Sequence, residues 1–473
     1  MSGPTRREML KATGALAAGA GAAALGGLAR AFVPGPSEVP PGGRPPQDPS
    51  VEVLHPRGRV PLSFIIDDST CLVNMGRFCM PQFKAAWPQN PAYRKPWKDW
   101  PAEIPDAFVR EFGEFCAGQG VRGKFSLVPY PACVGWLDRE LPGWSRAELR
   151  DSLKLVREVI APGWDLTPEM ITHTHAIDLK TGRPLDPPGP ATMENSYPPQ
   201  KRSADELAAY VAYALNLLKN CDIPCTGVTT PGGFGNSCRS ELSLAIGQAL
   251  TDVFDVEIPF YFKYIAEGSE GTRPRLEHVE PRSGSALGSG PPKLVVDVPA
   301  GTGDWFGNWD GDQPPQADKY LNEDGTTGRM AELIDRGEPA VMFGHWAGFY
   351  SNGSRRGFEA CKRVITTLNT RFADRTLWMK ASELARYQAA RELTRIERHG
   401  NKITLSAAFA APAFTLRVGK LGPAGPTLFH DRAPVQLKEV SALRELRSGT
   451  WMRDEKGDIL CFDLPKGDST LGS

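Results

Sequence analysis

The residues in this chain with most capacity for chemistry are carboxylates and imidazoles that close short apolar runs. Asp67-Asp68 ends residues 61–67 (PLSFIID), which puts two carboxylates at the rim of a hydrophobic wall. Neighbouring strand residues point to opposite faces, so one could bind a cation while the other serves as a base. A plain turn pair is the simpler alternative. His173-Thr174-His175 is the second feature. Residues two apart on a strand share a face, so an extended segment 169–177 would aim both imidazoles at one ion. Histidine suits zinc and similar divalent metals. The chain has only 7 histidines, so a pair in such a place is unlike chance. His345 closes a third run, 340–344, where an imidazole can protonate a leaving group. Thr229-Thr230-Pro231 closes a fourth. Trp305 and Trp346 follow strands at the same ends. Aromatic faces there suit sugar rings, or equally plug the top of the fold.

Alternating strands and helices must position these groups. Strands are expected at 61–67, 124–129, 169–177, 226–230, 256–264, 294–298 and 340–344. Helices are expected at 104–119, 146–160, 238–252 and 356–370. Ser203-Ala204-Asp205-Glu206 reads as a capping box that opens a long helix to about residue 219. Strands separated by helix-period segments require a parallel sheet. The fold class is therefore α/β, a distorted barrel of the (β/α)7 type, with an open doubly wound sheet as second choice. No GxGxxG or Walker A sequence follows a strand, which counts against nucleotide binding. The barrel is expected over 59–398, and 399–473 as a small β-rich region of short strands broken by Gly and Pro.

The chain has 473 residues, 41% of them hydrophobic, and Lys+Arg and Asp+Glu both total 55. That balance argues against a nucleic-acid or anionic-membrane partner. Thr5-Arg6-Arg7-Glu8-Met9-Leu10-Lys11, a weakly apolar Ala/Gly run and Ala29-Arg30-Ala31 follow the order of a twin-arginine export signal. Residues 1–31 are read as that signal, 32–58 as a Pro-rich linker, and the mature protein as periplasmic or extracellular and bacterial. The twin-arginine machinery is then a partner, and no stable membrane span is expected. The 9 cysteines are odd in number and irregular in spacing, so they spell no disulfide framework, although Cys221 and Cys225 could pair.

The order of Asp-Asp, a His cluster, a Pro-containing strand end and a late strand-end His resembles the polysaccharide deacetylases. The resemblance runs over about residues 60–390 and includes Trp378-Met379-Lys380-Ala381-Ser382-Glu383-Leu384 as the closing segment. It implies Asp67 as catalytic base and Asp68, His173 and His175 as ligands of a divalent metal, zinc first among the candidates. It implies His345 as general acid. The expected activity is removal of an acyl group from a glycan or a related C–N or C–O linked substrate. Trp305 and Trp346 are the expected substrate contacts. This chain departs from the family pattern in three ways. The histidines are two apart rather than four, with Asp178 the next ligand type downstream; no Arg precedes Pro231; and a Trp-rich stretch is inserted at 87–100. A non-catalytic exported carbohydrate-binding barrel, an amidohydrolase and a glycoside hydrolase are the alternatives.

Overall fold

The structure is a computed structural model that describes residues 44–266, 268–280, 292–309, 311–422, 425–430 and 433–472. The expected export signal, 1–31, lies outside the described residues. Among them no helix is long and apolar enough to cross a membrane.

The fold is mixed α/β. Strand β1 (Val51–Val53) precedes β2 (Val60–Asp67), helix α1 (Met75–Ala86), α2 (Asp106–Gly118), β3 (Gly123–Leu127), α3 (Arg146–Leu155), β4 (Trp164–Pro168) and α4 (Ala204–Asn220). Then follow β5 (Gly227–Thr229), α5 (Arg239–Phe254), β6 (Phe260–Phe262), β7 (Arg275–Glu280), β8 (Lys293–Asp297) and β9 (Ala340–His345). Last come α6 (Arg356–Arg371), β10 (Thr376–Trp378) and α7 (Ala381–Leu393). Strand β2 lies between β9 and β3, all parallel, with β4 beyond β3 and β10 against the start of β2. A second sheet runs β5–β6–β8–β7, in which only β7 is antiparallel.

The two sheets meet at both edges. Glu169, just past β4, bridges to Thr229 at the end of β5. Beyond β8, Gly301 N donates to Val341 O at 2.8 Å, and Thr302 Oγ1 accepts from Phe343 N at 3.0 Å. The parallel strands thus follow one another in circular order, with their ladders divided between two sheets.

Strand parity decides which side chains meet. Leu62, Phe64 and Ile66 of β2, Phe125 and Leu127 of β3, Leu166 of β4 and Met342 of β9 join the cluster under the helices. Ile65, Phe262, Val296, Val298, Val341 and Phe343 belong to a second cluster that also contains Ala385, Leu405 and Phe409. Asp67, Lys124 and His345 have the parity of this second face. Helix α4 opens with the expected capping box: Ser203 Oγ accepts from Glu206 N at 3.3 Å, and Ser203 N donates to Glu206 Oε2 at 3.0 Å.

The C-terminal region forms two five-stranded sheets. One of them contains β1, paired with Ala411–Val418, so part of the expected linker is a strand. The other begins at Thr394–His399, ahead of the expected boundary. All 9 cysteines are free thiols, Cys221 and Cys225 among them.

Candidate metal centre

Asp67 is the last residue of β2, 4% exposed, and its carboxylate is bonded by the ammonium of Lys124. Lys124 lies on β3 with no exposure at all. Burial pushes the Asp67 carboxyl up to about 7, against the pull of Lys124.

Asp68 leaves the strand with φ 60°, in the left-handed region, and this turns its carboxylate away from the ladder. Its N–H donates to Glu169 Oε2 at 2.7 Å. Asp68 is 1% exposed, and neither carboxylate oxygen receives an aligned hydrogen bond. His173 Nε2 stands 2.7 Å from Asp68 Oδ1 and 3.4 Å from Glu169 Oε1. The one-atom contributions of Asp68, Glu169 and His173 all fall within 4.8 Å of one another. Two carboxylates and one imidazole make a donor set that zinc accepts. Two carboxylates beside one imidazole are costly in a buried place, and a cation would compensate that cost. The residues therefore fit a divalent metal.

The three groups also interact electrostatically. Burial opposes charge on His173, yet Asp68 and Glu169 hold its imidazole well above the usual range. Burial opposes charge on Glu169 too, but His173, Lys124 and Ser126 hold its carboxyl well below its ordinary value. The two carboxylates and the imidazole thus favour one another's charged forms.

Glu169 escaped the sequence reading, which treated it as the start of a strand. That strand, β4, ends at Pro168. Segment 169–176 is a loop in which His173 takes φ 62°. Glu194, itself fully buried, holds this loop. It accepts from the N–H groups of Ile171 and Thr172, each at 3.0 Å, from His173 N at 2.5 Å and from the Tyr210 hydroxyl at 2.6 Å.

The loop also corrects the expectation for His175. Without extended geometry, residues two apart no longer share a face. The His175 ring lies against the Leu185 backbone and Asp186, away from the cluster, and Glu169 stands where His175 was expected. Asp178 is used locally, accepting from Lys180 N and Thr181 N in a turn.

His345 ends β9, in register with Asp67 across the ladder. Its Nδ1 is 2.8 Å from Asp304 Oδ2, and its Nε2 is 3.9 Å from Asp68 Oδ2. Burial disfavours the charged ring, but Asp68 and Asp304 together raise it to about 9. Asp304, immediately before Trp305, was the second residue missed.

Trp346 is corrected as a substrate contact. It has no exposure and packs on Phe108, Phe112 and Phe125 with ring centroids 5.1–5.2 Å away. Trp305 is half-buried against Tyr320 at 4.9 Å. The tryptophan beside the cluster is Trp309, 5.7 Å from the His173 ring, with Phe83 of α1 completing that wall. Thr229 shares a 3.0 Å hydroxyl contact with Thr167 and takes no part in the cluster.

No family model matches the sequence, and no curated relative does. Among solved structures, one from Parabacteroides distasonis, provisionally described as a glycoside hydrolase/deacetylase, is 12% identical over 77% of this chain and 82% of its own, with a TM-score of 0.37. A glycoside hydrolase family 57 branching enzyme from Thermococcus kodakaraensis is 9% identical over 66% and 68%, at 0.32. An α-amylase from Geobacillus thermoleovorans is 10% identical over 88% and 99%, at 0.30. Likeness at this level leaves the chemistry to the residues themselves.

Proposed function

We propose that this chain is a divalent-metal-dependent hydrolase that removes an acyl group from a glycan or a related C–N or C–O linked substrate. One observation carries the reading. Asp68, Glu169 and His173 converge in a buried place where both Asp68 oxygens lack an aligned donor. The order of motifs that resembles the polysaccharide deacetylases supplies the reaction class.

A metal held by Asp68, Glu169 and His173 would polarise the substrate carbonyl and lower the pKa of a water. The side chains around it divide the remaining work. Lys124 holds one oxygen of Asp67, which leaves the other to take the proton of the attacking water. Asp304 holds His345 at Nδ1, so Nε2 is the atom that donates to the departing amine or alkoxide. The resemblance calls for an Arg before Pro231. Lys124 supplies the cation beside Asp67 from a different strand, which supports a divergent form of the same arrangement. Trp309 and Phe83 are proposed to wall the substrate on the His173 side. Export by the twin-arginine route belongs to the proposal and rests on Thr5–Lys11. An Arg6→Lys/Arg7→Lys variant that still leaves the cytoplasm would count against it.

The deciding experiment is metal analysis of the purified protein beside an Asp68→Asn/His173→Ala variant. The expected result is near one equivalent in the wild type, lost in the variant, with acetyl release from N- or O-acetylated glycans by the loaded wild type. No metal in the wild type after incubation with zinc, cobalt or nickel would overturn the reading.

A further inference from the structure

A cleft of about 450 Å³ opens between the loop after β3 and a small hairpin formed by Ile177–Asp178 and Arg183–Pro184. Tyr130, Trp136, Arg139, Lys180, Arg183 and Tyr213 line it, and no carboxylate does. The chain carries as many acidic as basic residues, so three cations around one opening do not follow from net charge. Arg139 is partly matched by Asp138, Nε to Oδ1 at 3.4 Å. Lys180 and Arg183 make no ion pair among the described residues, and both are exposed. The nearest acid on the hairpin, Asp178, is turned into the turn, where it accepts from Thr181 N at 2.9 Å.

The aromatic groups narrow the ligand class. Tyr130 stacks on Trp136 with centroids 3.8 Å apart and 18° between planes. The Arg139 guanidinium lies 4.7 Å from the Trp136 ring centre. With its neighbourhood so filled, Trp136 is a poor platform for a planar base. What the cleft offers is donors: a guanidinium pair, an ammonium and the hydroxyls of Tyr130 and Tyr213. That set suits a ligand rich in hydroxyls and bearing carboxylates, which Arg binds in bidentate fashion. Both walls adjoin the loop that carries His173. Tyr130 N donates to Ile171 O, and Leu185 N to Ala176 O, each at 2.8 Å.

We infer that this cleft binds an acidic oligosaccharide, with uronate carboxylates held by Arg139, Lys180 and Arg183. The inference needs no metal and no hydrolysis, so it stands or falls apart from the proposed activity.

Calorimetric titration of the full chain with tri-galacturonate, beside uncharged galactotriose and inorganic phosphate, tests it. Tri-galacturonate is expected to bind, galactotriose and phosphate to bind roughly tenfold or more weakly, and Arg139→Ala/Lys180→Ala/Arg183→Ala to lose a similar factor. The triple variant should keep its metal content, and the Asp68→Asn/His173→Ala variant should keep its tri-galacturonate affinity. Absence of binding, equal affinity for phosphate, or loss in the metal-site variant with retention in the triple variant would each overturn the inference. Because the three substituted residues are exposed, the variant's unfolding midpoint serves as the control for folding.

Discussion

Asp68 sits with its backbone in the left-handed region and its carboxylate 2.7 Å from His173 Nε2, with its N–H spent on Glu169. A buried pair of carboxylates with a single imidazole is stable only while a proton or a metal balances it. Substitutions should sort the residues accordingly. Asp68→Asn, Glu169→Gln and His173→Ala should each weaken metal binding by about tenfold or more, read by competition with a chelating dye. His175→Ala should leave stoichiometry and affinity unchanged, because its ring faces Leu185 and Asp186. A loss of metal in His175→Ala equal to that in His173→Ala would restore the two-histidine site. At His345, substitution by Asn should reduce kcat by ~10²–10⁴ with the metal retained, as for a general acid; a change below tenfold would remove it from that role.

The elements hold the site through side chains that cross between them. Lys124 ties β3 to β2 through Asp67 inside the fold. Removing one partner of a buried pair leaves the other charge exposed to a low dielectric, so Lys124→Met should lower unfolding free energy by about 3–5 kcal/mol in urea titrations. The Lys124→Met/Asp67→Asn double variant should recover part of that loss. An additive double variant would mean the two groups do not interact. A similar tie joins β4 to the start of α7: Asp165 accepts from Ser382 N at 2.6 Å and from Ser382 Oγ at 2.7 Å. Asp165→Ala should therefore cost about 1–3 kcal/mol, since it deprives a helix N-terminus of its acceptor.

At the scale of the whole molecule, the C-terminal sheets share a hydrophobic cluster with β6, β8 and β9, and β1 joins them from the other end of the described chain. His55 lies where these parts meet, with Nε2 2.7 Å from Gly337 O just ahead of β9. Burial lowers its pKa from 6.5 to about 4. Folding thus favours the neutral ring. Its contribution is whole above the unfolded pKa of 6.5 and is lost as the pH falls towards 4. The loss should amount to roughly 1–3 kcal/mol. A His55→Gln variant should show a flatter fall in unfolding free energy between pH 6.5 and 4 than the wild type; parallel curves would assign the acid sensitivity to other groups.

Sequence alone determined what depends on near neighbours. The short apolar runs of β2 and β9 placed Asp67 and His345 at strand ends, and Ser203 with Glu206 marked the start of α4, because strand runs and helix capping are set by residues a few positions apart. Strand parity on β3 makes Lys124 legible as an inward-facing cation, though nothing local says that Asp67 is its partner. The tertiary structure decided the rest. Asp68 and Glu169 are joined across 101 positions. The fate of the two histidines was settled by a loop that Glu194 organises from beyond it, which breaks the extended geometry their spacing suggested. Trp346 went into the core because its strand ends under α2, where a large apolar surface is removed from water. Local sequence sets the direction of a side chain; which groups it meets depends on contacts between distant segments.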